Sequence, residues 1–396
     1  MAGLNQIEAE AQRFIDNGKK QEAYLVYLDG IEQARRLGDN QRLMDFSLSA
    51  YMFGKVSHVP EASIFRLLVE AKSLVEASPD DVPSYMPFRQ LLEACMYEHV
   101  SEFCRSLRHV RGYLDEFQFV DQPFRLGSEA NLLFDTGDFA SAASYAERAC
   151  AEFSSDSLGH LTWLAATAFD AHLRLRNKDM CLEWIQVMDR EMTSHDCDGC
   201  QEIYLERRIR FDLACGLHIS SDLRENLKIA HEIESGTVPH TNYLAAEVNL
   251  LDSNLGDPCI PEHPAFVELA ARRSGDPRHK REKYKRSLAI ADFRVAAVRF
   301  AAGLNAQYED IQFAKYANHT IDIAPSDYRV DLDEIEWRIS KARNALRAAM
   351  RDARKLDEIF ECGWRQADVR TREESLLQIV SSVEKSEGLN NGDTTT

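Results

Sequence analysis

The sequence predicts an all-α protein: a run of short antiparallel helical hairpins that ends in a long C-terminal helix. Three observations predict it. Helix breakers are scarce, with 18 Gly and 11 Pro in 396 residues, too few for a sandwich or barrel that turns every ten residues or so. Apolar residues recur with the 3.6-residue period of an amphipathic helix along most of the chain, while alternating stretches such as Phe117-Gln118-Phe119-Val120 are short and isolated. Turn-forming residues punctuate the pattern at short intervals. With 44% hydrophobic and 28% charged residues there is ample apolar surface for a folded core, so disorder of the whole chain is excluded.

Taken in order, the periodicity places helices near residues 4–17, 20–37, 40–54, 60–77, 83–97, 99–116, 123–136, 139–153, 156–176, 178–193, 200–217, 221–235, 240–253, 263–273, 279–302, 307–322 and 331–385. The joins are two to six residues long and carry Gly, Asp, Asn or Pro: Asp16-Asn17-Gly18, Ser78-Pro79-Asp80-Asp81, Thr136-Gly137-Asp138 and Arg176-Asn177-Lys178-Asp179. Phe117–Val120 reads as a connector. Three Pro between Asn254 and Pro264 mark one boundary, and Ala324-Pro325-Ser326-Asp327 marks a second. The organisation expected is a hairpin array over 1–257, further helical repeats over 258–324, a C-terminal helix over 325–385 broken near Gly363, and a disordered tail over 386–396.

Two segments share one spacing. Ala11, Phe14, Gly18, Ala23, Tyr27 and Gly30 follow one another at offsets of 3, 4, 5, 4 and 3, and so do Ala130, Leu133, Gly137, Ala142, Ala146 and Ala149. Small residues at those positions let two helices cross closely, and the Gly permits the turn between them. Both segments resemble the tetratricopeptide repeat (TPR), a helix-turn-helix unit of about 34 residues. The match extends more loosely over 160–193, and the motif covers about a third of the chain. The resemblance implies a TPR-like α-solenoid, with the first helix of each unit lining a concave groove. It implies a protein-binding scaffold, adaptor or regulatory subunit, and it places ligand contacts at Gln12 and Ile15 in the first unit and at Asn131 and Phe134 in the second. Where some family members clamp a C-terminal carboxylate with Lys and Asn, this chain has Glu8, Gln12, Gly127 and Asn131. Only Asn131 fits, so an apolar or helical ligand is expected instead.

Beyond Ala324, the residues Leu332, Ile335, Ile339, Ala342, Leu346, Ala349, Ala353, Leu356 and Phe360 recur at alternating three- and four-residue spacing. That is a seam of about four heptads, for packing over the last repeat or for a coiled coil. Beside it Arg343, Arg347, Arg351 and Lys355 make a basic stripe, read either as intramolecular salt bridging to acidic helices or as an interface with another chain.

Charge and chemistry narrow the function classes. Lys and Arg number 47 and Asp and Glu 65, a formal net charge of −18, which disfavours nonspecific binding to nucleic acid or anionic membrane. A local exception is the segment 272–286, where Arg272, Arg273, Arg278, Lys280, Arg281, Lys283, Lys285 and Arg286 face two acids. It suits an acidic protein patch or, as the alternative, nucleic-acid phosphates. The chain has no dinucleotide, P-loop, zincin or nucleophile-elbow motif, so no enzymatic activity, catalytic residue or cofactor is expected. Cys197, Cys200, Cys215 and His218 have zinc-like spacing, but 201–214 reads as one helix that would hold Cys200 and Cys215 roughly 22 Å apart. His195, Cys197 and Cys200 survive that test as a three-ligand metal candidate, against the reading of a polar loop. Nine scattered Cys, no signal-like start and no apolar run of spanning length point to the cytoplasm and away from membranes. The expected partner is a protein or peptide within a larger complex, with homo-oligomers compatible. A ligand-sensing regulatory protein is the competing class.

Overall fold

The structure is a computed structural model that describes residues 2–56, 59–84, 88–103, 106–194, 198–214, 288 and 332–390. The described residues are all-helical, with no strand. The α-helices are α1 (Ala2–Asp16), α2 (Lys20–Leu37), α3 (Asn40–Val56), α4 (Glu61–Ala77), α5 (Phe88–Phe103), α6 (Leu107–Asp115), α7 (Gln122–Thr136), α8 (Phe139–Glu152), α9 (Leu161–Arg174), α10 (Lys178–Ser194), α11 (Asp198–Ala214), α12 (Leu332–Ile359) and α13 (Trp364–Asn390). Two compact units result: Met1–Glu129 with Arg148–Gly159, and Ala130–Glu147 with the described residues from His160 onward.

In the first unit each helix from α1 to α6 packs on the next. The core is built from Leu4, Ile7, Tyr27, Ile31, Met44, Phe46, Tyr51, Ile64, Leu68, Phe88 and Leu92. Gly30 is where α2 meets Phe46 most closely: a Cβ there would lie 2.8 Å from the Phe46 ring. Polar bonds also skip one helix. Arg42 of α3 reaches Glu8 and Asn5 of α1, Arg35 of α2 reaches Glu70 of α4 at 2.7 Å, and Tyr51 of α3 donates to the Cys95 carbonyl of α5 at 3.3 Å.

In the second unit α9 packs on both α10 and α11. The fully buried Ala130, Ala146 and Ala168 meet beside Tyr145 and Trp184, and Ala142, Ala143 and Ala171 meet beside Leu133 and Phe134. Side chains without bulk at these crossings let the backbones approach, as the sequence pattern requires. Alternate helices are again bonded: Thr167 of α9 donates to Asn131 of α7 at 3.0 Å, and Arg207 of α11 pairs with Asp170 of α9 at 2.6 Å.

One turn recurs. A residue with left-handed backbone ends the helix, and the next residue donates its N–H to the carbonyl five positions back, satisfying a carbonyl that the helix end would orphan. Gly18 and Lys19, Gly38 and Asp39, Gly137 and Asp138, Arg176 and Asn177, and Glu361 and Cys362 all do this, with N···O distances of 2.8–3.0 Å. Three of the five second residues then cap the helix that follows, since the Asp39, Asp138 and Asn177 side chains accept the N–H groups of Arg42, Ser141 and Met180.

Four expectations are corrected. The join expected at residue 98 lies between Phe103 and Leu107, where Ser106 takes an extended backbone and starts α6 without Gly or Pro. The helix expected from 156 starts at Leu161, because Gly159 is left-handed and the Leu158 N–H is drawn to the Asp121 carboxylate. Of the region expected as one C-terminal helix over 325–385, the described part from Leu332 is a helical hairpin. It breaks at 360–363 as expected, and the buried Asp357 carboxylate accepts the Gln366 N–H at 3.0 Å to begin α13. Helix α13 runs to Asn390, so the tail expected from 386 is helical for its first five residues. The helices expected between 221 and 322 and both Pro-marked boundaries lie outside the described residues, apart from Leu288, which is buried against α12 and α13. Among the described residues no helix is long and apolar enough to cross a membrane.

Candidate interaction surfaces

The four groove positions implied by the repeat resemblance fall in different settings. Gln12 is exposed and donates to Asp16 one turn away at 2.7 Å. Ile15 is half-buried against the core of the first unit. In the second unit Asn131 is engaged by Thr167. Phe134 packs edge-on against Phe139 and Trp364, with centroids 5.2 and 5.9 Å away. The ring that a ligand was expected to touch is therefore already touched by a side chain from the C-terminal hairpin.

That contact is elaborate. Trp364 opens α13 and lies over the turn between α7 and α8, where a Cβ on Gly137 would come within 2.8 Å of the indole. The indole Nε1–H donates to the Asp135 carbonyl at 3.2 Å, one of the last carbonyls of α7. Arg174 and Arg365 stack on the indole with guanidinium carbons 4.6 and 4.3 Å from its centre. Arg365, only 3% exposed, bridges the carboxylates of Asp135 (2.8 Å) and Asp357 (3.4 Å) and also donates to the Asp135 carbonyl. Asp368 binds Arg174 and Arg372 at the rim. Burial pushes the neighbouring Cys362 thiol up to about 11, with Arg365 pulling it down and Asp357 raising it further. The sequence reading missed Trp364, Arg365, Asp135 and Asp357. Their one local signal is the Gly363-Trp364-Arg365 run at the helix break, because the two sides of the contact are 229 residues apart.

A second charged cluster ties α11 to α9. Arg207 pairs with Asp170 and Glu206, and Arg210 with Glu206 at 2.9 Å. Burial works against the Arg207 charge, but Asp170 and Glu206 outweigh it and raise its pKa. His172 lies 2.7 Å from Glu147.

The stripe on the C-terminal hairpin has a different character. Arg343, Arg347 and Arg351 are all exposed, and none of them is in an ion pair among the described residues. Lys355 pairs with Glu358 at 3.5 Å.

The metal candidate is not assembled among the described residues. His195 and Cys197 lie outside them, and no cluster of three His, Cys, Asp or Glu suited to a metal occurs within them. Cys200 is buried and disulfide-bonded, so its sulfur is no thiolate for a metal. Cys95, Cys150, Cys181 and Cys362 are free. The basic segment from Arg272 to Arg286 lies outside the described residues. Comparison of the sequence with protein-family models finds no match, and neither does comparison with curated proteins.

Proposed function

We propose that the protein works by non-covalent recognition, as a TPR-like scaffold, adaptor or regulatory subunit whose stacked hairpins present helical faces to a protein or peptide partner. The observation that supports this reading is the bonding of alternate helices at intervals close to one hairpin. Asn131 and Thr167 are 36 residues apart, Asp170 and Arg207 37, and Arg35 and Glu70 35. A stack of this kind buries the crossings and leaves the outer faces preformed, which lowers the ordering cost of binding. Since Trp364 already fills the place beside Phe134, partner recognition is assigned to helical faces that the chain does not cover itself.

The test is the native state of the chain in its cell. A tagged full-length chain, fractionated by size from a gentle lysate, is expected to migrate well above its monomer mass with a stoichiometric protein. That protein, purified separately, is expected to rebind with a measurable Kd. Migration as a free monomer, or turnover of a small molecule that one substitution abolishes, would overturn the reading.

A further inference from the structure

Some cations of the described chain are matched from within: Arg42 by Glu8, Lys55 by Glu98 and Glu102, Arg174 by Asp368, and Arg365 by Asp135 and Asp357. Others, such as Arg36, Arg66, Arg108 and Arg111, are exposed and outside any ion pair among the described residues. Helix α12 is distinctive in carrying four such arginines in one row. Arg343, Arg347, Arg351 and Arg354 are exposed and outside any ion pair among the described residues. At about 100° per residue the four fall within an arc of about 80°, and they span about 16 Å along the axis. Glu358, which follows in that arc, pairs with Lys355. The other side of α12 is fixed: Ala342, Leu346, Ala349 and Ala353 are buried with Val369, Leu376 and Val380 of α13. The arginines thus stand on a helix whose orientation is already set by its hairpin.

We propose that this arginine face is a docking site for an acidic helix of a partner protein, one with Asp or Glu at every fourth residue. The proposal rests on the scaffold reading and gives it a surface and a partner chemistry. Charge complementarity selects an anionic occupant, and pitch selects a helix. Carboxylates at i, i+4 and i+8 repeat every 6 Å or so, as Arg343, Arg347 and Arg351 do. A bilayer requires a free apolar face beside the cations, and the apolar face of α12 is spent on α13.

The probe is a fluorescent, alanine-based helical peptide of about 20 residues with Glu at every fourth position, read by anisotropy against the full-length chain at about 50 mM salt. Binding is expected to fall at least about tenfold when Gln replaces Glu in the peptide, or when the chain carries Arg343→Glu, Arg347→Glu and Arg351→Glu together. It is expected to weaken steeply by about 300 mM salt and to survive the corresponding Arg→Lys triple substitution in large part. Circular dichroism of the triple variant should match the parent, because all three sites are exposed. Equal binding of the Gln peptide, or by the Arg→Glu variant, would overturn the proposal. So would tighter binding of duplex DNA or phosphatidylserine vesicles through the same arginines, or salt-sensitive self-association that the Arg→Glu variant abolishes. In the cell, a stoichiometric complex that persists with the Arg→Glu variant defeats this docking site and leaves the scaffold reading standing. Absence of any complex defeats the scaffold reading itself.

Discussion

Gly18 and Gly137 occupy the same position in two turns of one type, and the difference between them isolates a single contact. Both have left-handed backbone, with φ of +69° and +90°, which costs a residue bearing Cβ about 1–2 kcal/mol. Around Gly18 a Cβ would meet nothing within 4 Å, whereas at Gly137 it would meet the Trp364 indole at 2.8 Å. Gly137→Ala is therefore expected to destabilise by about 1–3 kcal/mol more than Gly18→Ala in urea unfolding. In a Trp364→Ala background that excess should vanish; if it persists, the indole does not set the cost. Arg365 makes a second residue-scale prediction. Arg365→Met leaves the buried Asp357 carboxylate without its guanidinium and is expected to cost about 3–5 kcal/mol. Arg365→Lys should recover only part of this, since one ammonium cannot span Asp135 and Asp357 as the planar fork does. Equal stability of the Met and Lys variants would show that the bridge contributes through packing alone.

At the scale of helices, what was legible follows from what is local. Helix α2 has the predicted bounds, and α8 and α10 differ by one residue, because their ends are written in Gly18, Gly38, Gly137 and the Asp or Asn that follows three of these turns. The join between α5 and α6 was misplaced because Ser106 takes an extended backbone ahead of α6 with no Gly or Pro to announce it. Phe117–Val120 was read correctly as a connector, but not its support: the Glu93 carboxylate of α5 accepts the N–H groups of Gln118, Phe119 and Val120. The candidate site divides the same way. The arginine row on α12 is visible in the sequence, while its lack of an ion pair among the described residues depends on where distant carboxylates lie. Phe134 was visible, but its cover by Trp364 was not. The caps themselves are testable. Asp138→Ala removes one bond to the start of α8 and is expected to cost about 1 kcal/mol. In Asp121 one oxygen caps Phe124 of α7 and the other holds the Leu158 N–H, so Asp121→Ala should cost about twice as much, with faster amide exchange at both Phe124 and Leu158. Exchange that quickens at Phe124 alone would remove the second role.

For the molecule as a whole, burial acts on several titratable groups in one direction, which fixes how stability depends on pH. Burial, with Glu98 adding and Lys55 subtracting, pushes the Cys95 thiol up to about 12. Cys362 is pushed up to about 11, and burial also raises the Tyr24 and Tyr27 hydroxyls above their usual value of 10.0. An unfolded thiol loses its proton near 9.0. Above that pH the unfolded chain has released protons that the native chain still holds, so protons favour the native state and stability falls as they become scarce. The urea midpoint is expected to show no loss from these groups between about pH 7 and pH 8.5, to start falling near pH 9 as the thiols of the unfolded chain ionise, and to fall faster near pH 10 when its tyrosines follow. Cys95→Val and Cys362→Val together should flatten the first part of that descent and leave the second. Iodoacetamide at pH 8 should modify Cys95 and Cys362 in the native chain far more slowly than after denaturation, since it is the thiolate that reacts. A midpoint that holds or rises between pH 9 and pH 11, or rapid native alkylation of both thiols, would mean that these groups meet water and that the packing of α3 on α5 and of the C-terminal hairpin on the α7–α8 turn is looser than described.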